Sequence, residues 1–451
     1  MVVFGGLCVF RELAAAAVLA AVLACMAGAG RAALPAYVFT LAPRYEPKAW
    51  LGGRDRFPAG AALMFVSGQT RRKVASGLYA SADAAVSLDG GRVLFAGKRT
   101  AAEHWQIWEA ALDGGLPRQI TSCESDCVRP LYLPDDRIVY TQITPHGSDV
   151  EIVPLNGGKP ARLTFAPGWY LTDDVLRDGR ILLEAAEGRG PSWTRELFTV
   201  YPDGTGVESL RCDHGPDRSD ARQISSGDVV FDADGRLARF TSALANQTET
   251  AQPDGDSAGP VAEVEAGSWI LALRRKPRSA YGLFLWTAAN GQMLELEVPA
   301  GTNAIQPAIA RSRIPPRQFP TALVPSRTTG NLLCLNARSS KTPLAADARA
   351  LRVYTQASGG APVLLGQTDL APDGSFYVEV PADRPLRIEM VDSSGRAVRA
   401  EHDWFWMRPS EQRICVGCHL GPERAPENKV PDILVQTTVP VKMLGDAGRQ
   451  Q

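Results

Sequence analysis

Histidine is scarce in this chain, with five in 451 residues beside eight cysteines, and no H-E-x-x-H pair exists to bind a catalytic zinc. A Gly-rich phosphate loop and a G-x-S-x-G elbow are also missing, so nothing in the sequence argues for nucleotide-dependent or hydrolytic chemistry. Charge of one sign is lacking too. The 48 basic side chains are balanced by 49 acidic ones without Lys/Arg blocks, which leaves neither the steering field nor the counterion release that a nucleic-acid binder needs. No apolar run is long enough to span a bilayer comfortably; the longest, Leu13 to Met26, stops short of the roughly 20 residues a membrane helix requires. Helical periodicity is nearly absent between residues 60 and 320.

What is there begins with an export signal. The Ala-rich run follows Arg11 and precedes the small residues Ala27-Gly28-Ala29, the shape of a signal peptide over 1–33. Val22-Leu23-Ala24-Cys25 also loosely matches a lipoprotein cleavage box, which makes a lipid anchor at Cys25 the alternative processing. Either route predicts a periplasmic or extracellular location, an oxidising setting in which Cys123 and Cys127 are expected to form a short disulfide.

The predicted fold class is all-β. Short strand-like runs bracket turns at Asp89-Gly90, Asp135-Asp136 and Asp178-Gly179, whose aspartates step by 46 and 43 residues. A second set of turns, at Asp113-Gly114, Asn156-Gly157 and Asp203-Gly204, steps by 43 and 47. Two hairpins per period of about 45 residues is the pattern of a four-stranded propeller blade, because one twisted sheet cannot bury both faces alone. The span 34–318 has room for six blades, or seven, and resembles periplasmic WD-type propellers. Thr241 to Pro260, rich in small and polar residues, reads as a long loop, and the proline-rich stretch from Arg311 to Pro325 as a stiff linker. Beyond it, Phe376, Val378 and Val380 alternate with Tyr377 and Glu379, and Leu386, Ile388 and Met390 with Arg387 and Glu389. This pattern predicts a small prealbumin-like β-sandwich over 319–402.

The remaining segment, 403–451, carries the most specific motif in the chain, Cys415-Val416-Gly417-Cys418-His419. The C-x-x-C-H spacing lets two thiols tether haem c while the adjacent imidazole reaches its iron. Half a zinc site and a redox-active pair are the competing readings. Zinc needs two more ligands, and the glycines and prolines after the motif oppose the helix a thioredoxin-like pair requires. On this reading Cys415 and Cys418 are covalent anchors and His419 the proximal iron ligand. Met443 is the first candidate for the opposite axial position and His402 the second; an open position is the third option. Only 32 residues follow His419, so other parts of the chain must cover the cofactor. Trp404 and Trp406, with Phe405 and Met407, are expected either to wall the haem at the junction with the propeller or to form the last core strand of the sandwich. Cys212-Asp213-His214 lacks further ligands for a metal, and Cys212 and Cys334 read as small buried apolar residues.

Asp373-Gly374-Ser375-Phe376, Asp403-Trp404-Phe405-Trp406-Met407-Arg408-Pro409, the haem motif and Ala425-Pro426-Glu427-Asn428 together resemble the middle domain of the hydrazine synthase alpha subunit family. The resemblance implies a haem-c domain preceded by a propeller, within a larger redox complex. It does not imply hydrazine synthesis. In that family a tyrosine four residues past the motif histidine ligates the haem and the histidine turns to zinc, whereas Glu423 stands at the matching position here. A second haem domain is present there, and no further C-x-x-C-H occurs in this chain. The expected function is therefore an exported mono-haem cytochrome-like electron carrier that docks a redox partner through its propeller. The alternatives are an oxidoreductase subunit whose open haem acts on a small molecule and a haem-free envelope-binding propeller.

Overall fold

The structure is a computed structural model that describes residues 34–187, 193–211, 215–242, 246–340, 344, 346–358, 360–401, 403–417 and 428–445. Strands dominate it; the helix among the described residues, Asp432–Gln436, is five residues long. Between Tyr37 and Ile309 the chain folds into six four-stranded antiparallel sheets. Five of them follow chain order. The second sheet, for instance, runs Ala80–Val86, Arg92–Lys98, Gln106–Ala111 and Arg118–Gln119. The first sheet is composite: Asn303–Ile309 pairs antiparallel with Tyr37–Ala42, ahead of Ala62–Ser67 and Thr70–Lys73. Each sheet's leading strand packs against those of its neighbours, and Asn303–Ile309 meets both Asp256–Glu265 and Ala80–Val86, so the sheets form a closed, propeller-like ring.

Burial explains why these sequences adopt these strands. The leading strands Ala80–Val86 and Trp169–Val175 are buried at all seven positions because sheets cover them on both sides. The outermost strands Arg118–Gln119 and Ala161–Arg162 are short, polar and exposed, which blunts the sheet edges. Between adjacent sheets lie apolar layers such as Leu182, Leu197, Val229, Phe231 and Phe240, each fully buried side chain contributing about 1.5–3 kcal/mol. The turns at Gly90 and Gly179 both take positive φ, +80° and +89°, as the Asp-Gly pairs predict.

Thr241 to Pro260 is not one loop, as its composition suggested: Thr248–Glu249 is a short outer strand, and Asp256–Glu265 is the ten-residue leading strand of the sixth sheet. Its polar, Gly-Pro composition suits a strand that bulges at Gly259, beside the ring axis. The proline-rich linker after Arg311 does more than connect. It lies as a strap over one face of the ring, where the Arg313 amide donates to Leu88 O at 2.9 Å and the Arg317 amide to Arg177 O at 3.0 Å. Gln318 donates to Pro134 O, and Phe319 packs on Tyr201 with 4.7 Å between ring centroids.

Beyond the strap, two four-stranded sheets pack face to face around Leu332, Leu351, Val353, Phe376, Val378, Val380, Leu386 and Met390. Phe376, Val378 and Val380 are buried while Tyr377 and Glu379 are only half-buried, in the predicted phase. One sheet, however, draws its edge strands from the tail. Gln412–Cys415 runs parallel to Thr329–Cys334, and Val441–Lys442 parallel to Phe376–Pro381. A boundary at residue 402 therefore runs through the sandwich, since the motif's first cysteine ends one of its strands.

Candidate functional site

Cys415 is positioned by that parallel pairing, which sets it opposite Cys334 and turns it, with Arg413, away from the exposed Ile414. Cys418 and His419 lie outside the described residues, as do His402, Glu423, Cys25, Cys212 and His214. Beside Cys415 the two sheets part around a small cavity lined by Cys334, Leu351, Phe376, Ile388, Met390 and Gly417. Arg399 and Glu401 supply its polar lining. A lining that is mostly apolar with a few polar groups has the chemistry of small-molecule and cofactor sites. Burial pushes the Cys415 thiol up, and the charges of Glu401, Glu208 and Glu411 act in the same direction against Arg413.

The residue types here match the chemistry a haem c group needs: apolar side chains for the macrocycle, a cationic side chain for its carboxylates, and a cysteine at the edge of the space. The walls differ from those expected. Trp406 is 1% exposed and turns towards the ring, where it meets Tyr170 edge-on at 6.2 Å and Phe165 at 6.3 Å. Its Nε1 donates to Gly204 O at 2.9 Å. Trp404 packs against the same apolar cluster, with the Arg387 guanidinium 5.1 Å from its ring centre. Phe376, Ile388 and Met390 occupy the place beside Cys415 instead. Met443 is buried in the sandwich core, its sulfur so close to Gly366 that a Cβ there would lie 2.5 Å from it. It follows Val441–Lys442, at the opposite edge of the four-stranded sheet from Cys415, roughly 14 Å away across three strand spacings. That geometry makes Met443 a core filler, and Met390 is the thioether on the cavity wall. Met390 was legible only as one of three alternating apolar residues.

A second polar centre escaped the sequence reading. The six leading strands break register at the same level, around Asp83, Arg129, Asp173, Asp220, Gly259 and Gln306. Five of these, all but Asp173, have positive φ. The bulges crowd side chains around the ring axis, where Arg56 bonds Asp83 and Arg129 bonds Asp220. Arg195 bridges Glu184 at 3.4 Å and Asp217 at 2.7 Å. Burial opposes charge on Asp83 and Asp220, yet Arg56 and Arg129 hold Asp83, and Arg129 and Arg195 hold Asp220, below the usual carboxylate range. Burial and the neighbouring Glu184 push the Asp173 carboxyl up, against the charge of Arg129. The signal was a polar residue recurring in the leading strands, hidden because the repeat was phased on its turns. The expected Cys123–Cys127 disulfide is present, at the start of the third sheet.

Residues 339–420 match the family model "hydrazine synthase alpha subunit middle domain". Over 61 residues the chain is 33% identical to hydrazine synthase subunit alpha of Kuenenia stuttgartiensis, a stretch covering 14% of this chain and 8% of that subunit. A solved structure of Kuenenia stuttgartiensis hydrazine synthase superimposes with a TM-score of 0.76 at 17% identity, over 89% of this chain and 72% of that one. At that identity the likeness shows the fold. TolB from Acinetobacter baumannii aligns over 61% of this chain and 66% of its own at 14% identity, with a TM-score of 0.47, too loose to argue from. The chain is thus related to the hydrazine synthase alpha subunit through its middle-domain segment and its fold, and is distinct from it in sequence.

Proposed function

We propose that this chain is an exported haem-c redox protein, a subunit or partner of a larger redox assembly, with one haem tethered by Cys415 and Cys418 and ligated by His419. The observation that carries the reading is the first motif cysteine facing an apolar cavity between the sandwich sheets. Bound haem supplies reversible one-electron chemistry at iron. Leu351, Phe376 and Ile388 would exclude water around it, Arg399 would offer charge to its carboxylates, and Met390 would offer a thioether to the iron. In this reading the six sheets are the blades of a six-bladed propeller that docks the electron-exchange partner. The matched relative's name, hydrazine synthase, supports redox work on small nitrogen compounds as the alternative activity, through an open iron position.

Expression with haem-maturation machinery, followed by pyridine haemochrome spectroscopy and intact mass, tests the proposal. One haem per chain is expected, lost in the C415A/C418A double variant. The bare processed mass in the wild type refutes it and leaves an envelope-binding propeller. Low-temperature EPR then separates the two activities: a low-spin ferric signal that turns high-spin in Met390→Ala supports the electron carrier, and a high-spin wild type supports the open site.

A further inference from the structure

We propose that the axis of the ring binds one hard divalent cation of calcium type through Asp173, Glu184 and Asp220. One carboxylate oxygen from each lies within 4.8 Å of the others, and all three residues are buried. Oxygens held about 2.4 Å from a shared calcium ion lie no more than about 4.8 Å apart, and an all-oxygen donor set selects calcium, magnesium or manganese over zinc or copper.

The second observation is independent of the clustering. Asp173 is 1% exposed, yet its Oδ1 has no hydrogen-bond partner among the described residues, while Oδ2 accepts from the Ala221 amide at 2.9 Å. Buried oxygens left in that state are rare in folded proteins. Asp173 also lines a small cavity on the ring axis, with Asp83, Arg129, Thr172, Arg222 and Gln306 around it. Arg129 and Arg195 engage Asp220 and Glu184, and among the described residues Asp173 makes no ion pair. The ion would join the first two strands of the fourth sheet, which carry Asp173 and Glu184, to the leading strand of the fifth, which carries Asp220. A ring held by non-covalent packing between sheets would gain a tie at its centre.

The test uses the full chain, stripped with chelator and titrated with calcium chloride. Expected are one calcium per chain by elemental analysis after gel filtration and a rise in melting temperature of about 3 °C or more at saturating calcium. Asp173→Asn keeps the size of the side chain and an acceptor for Ala221, and it should lose both effects. Manganese EPR on the wild type, with calcium displacing the bound ion, gives a readout that needs no variant. No retained ion in the wild type, or full retention in Asp173→Asn, overturns the proposal. Calcium content is read separately from iron, so the result stands whether or not haem is attached.

Discussion

Replacing Trp406 by alanine should undock the sandwich from the ring without unfolding either. The indole is fully buried between Phe165 and Tyr170 and donates to Gly204 O. Around it the contacts are polar: Arg408 Nε donates to Asp203 O at 3.0 Å, and the Gly206 amide donates to Glu411 Oε1 at 3.0 Å. Deleting a buried Trp side chain costs about 3–5 kcal/mol, and the Gly204 carbonyl loses a donor worth about 1 kcal/mol. Taking about 4 kcal/mol in all, the undocked population rises roughly 10³-fold. Amide exchange at Gly206 reads this directly, because that N–H is protected by the sandwich's own Glu411. Exchange there should accelerate by about three orders of magnitude, while Val139 and Leu183 inside the ring keep their rates. Trp406→Phe retains an aromatic ring and loses the N–H donor, so about tenfold is expected. A Gly206 rate within tenfold of wild type in Trp406→Ala refutes the reasoning, and equal acceleration throughout the ring shows that Trp406 supports global stability instead.

Gly179→Ala should lift the strap. Gly179 has φ +89°, and a Cβ there would lie 2.2 Å from Arg317 O, so left-handed strain of about 1–2 kcal/mol combines with a backbone collision. The Arg317 amide, bonded to Arg177 O, should exchange at least about tenfold faster, and an unchanged rate contradicts the strap contact. Asp232 is raised to about 6 by burial, an effect that the Ser257 and Gly235 hydrogen bonds oppose and the charge of Asp220 reinforces. The folded state thus holds this proton more tightly than the unfolded chain, and wild-type stability falls as pH rises from about 4 through 6. Asp232→Asn should therefore be more stable than wild type at pH 8 by up to about 3 kcal/mol and nearly equal to it at pH 3. Urea midpoints at the two pH values check this, and an equal difference at both denies the shift.

The strand pattern and the haem motif were readable in the sequence because they are local. Asp-Gly pairs at 89–90 and 178–179 force turns wherever they fall, two-residue alternation at 376–380 marks a half-buried strand, and C-x-x-C-H needs only adjacent residues to tether a cofactor. Which thioether faces the cavity was not readable. Met390 and Met443 are both buried methionines in strand-rich surroundings, and the pairing of Gln412–Cys415 with Thr329–Cys334 decides that Met390 lies beside Cys415 and Met443 at the far edge. Trp406 belongs to the ring for the same reason: its partners, Phe165, Tyr170 and Gly204, come from more than 200 residues earlier in the chain. The axial centre shows the division most plainly. Asp83, Arg129, Asp173 and Asp220 sit in four different short strands, and only closure of the ring brings them together, where low water access makes their charges act on one another. Local rules set which residues form strands and turns, and long-range strand pairing sets which side chains share a buried space.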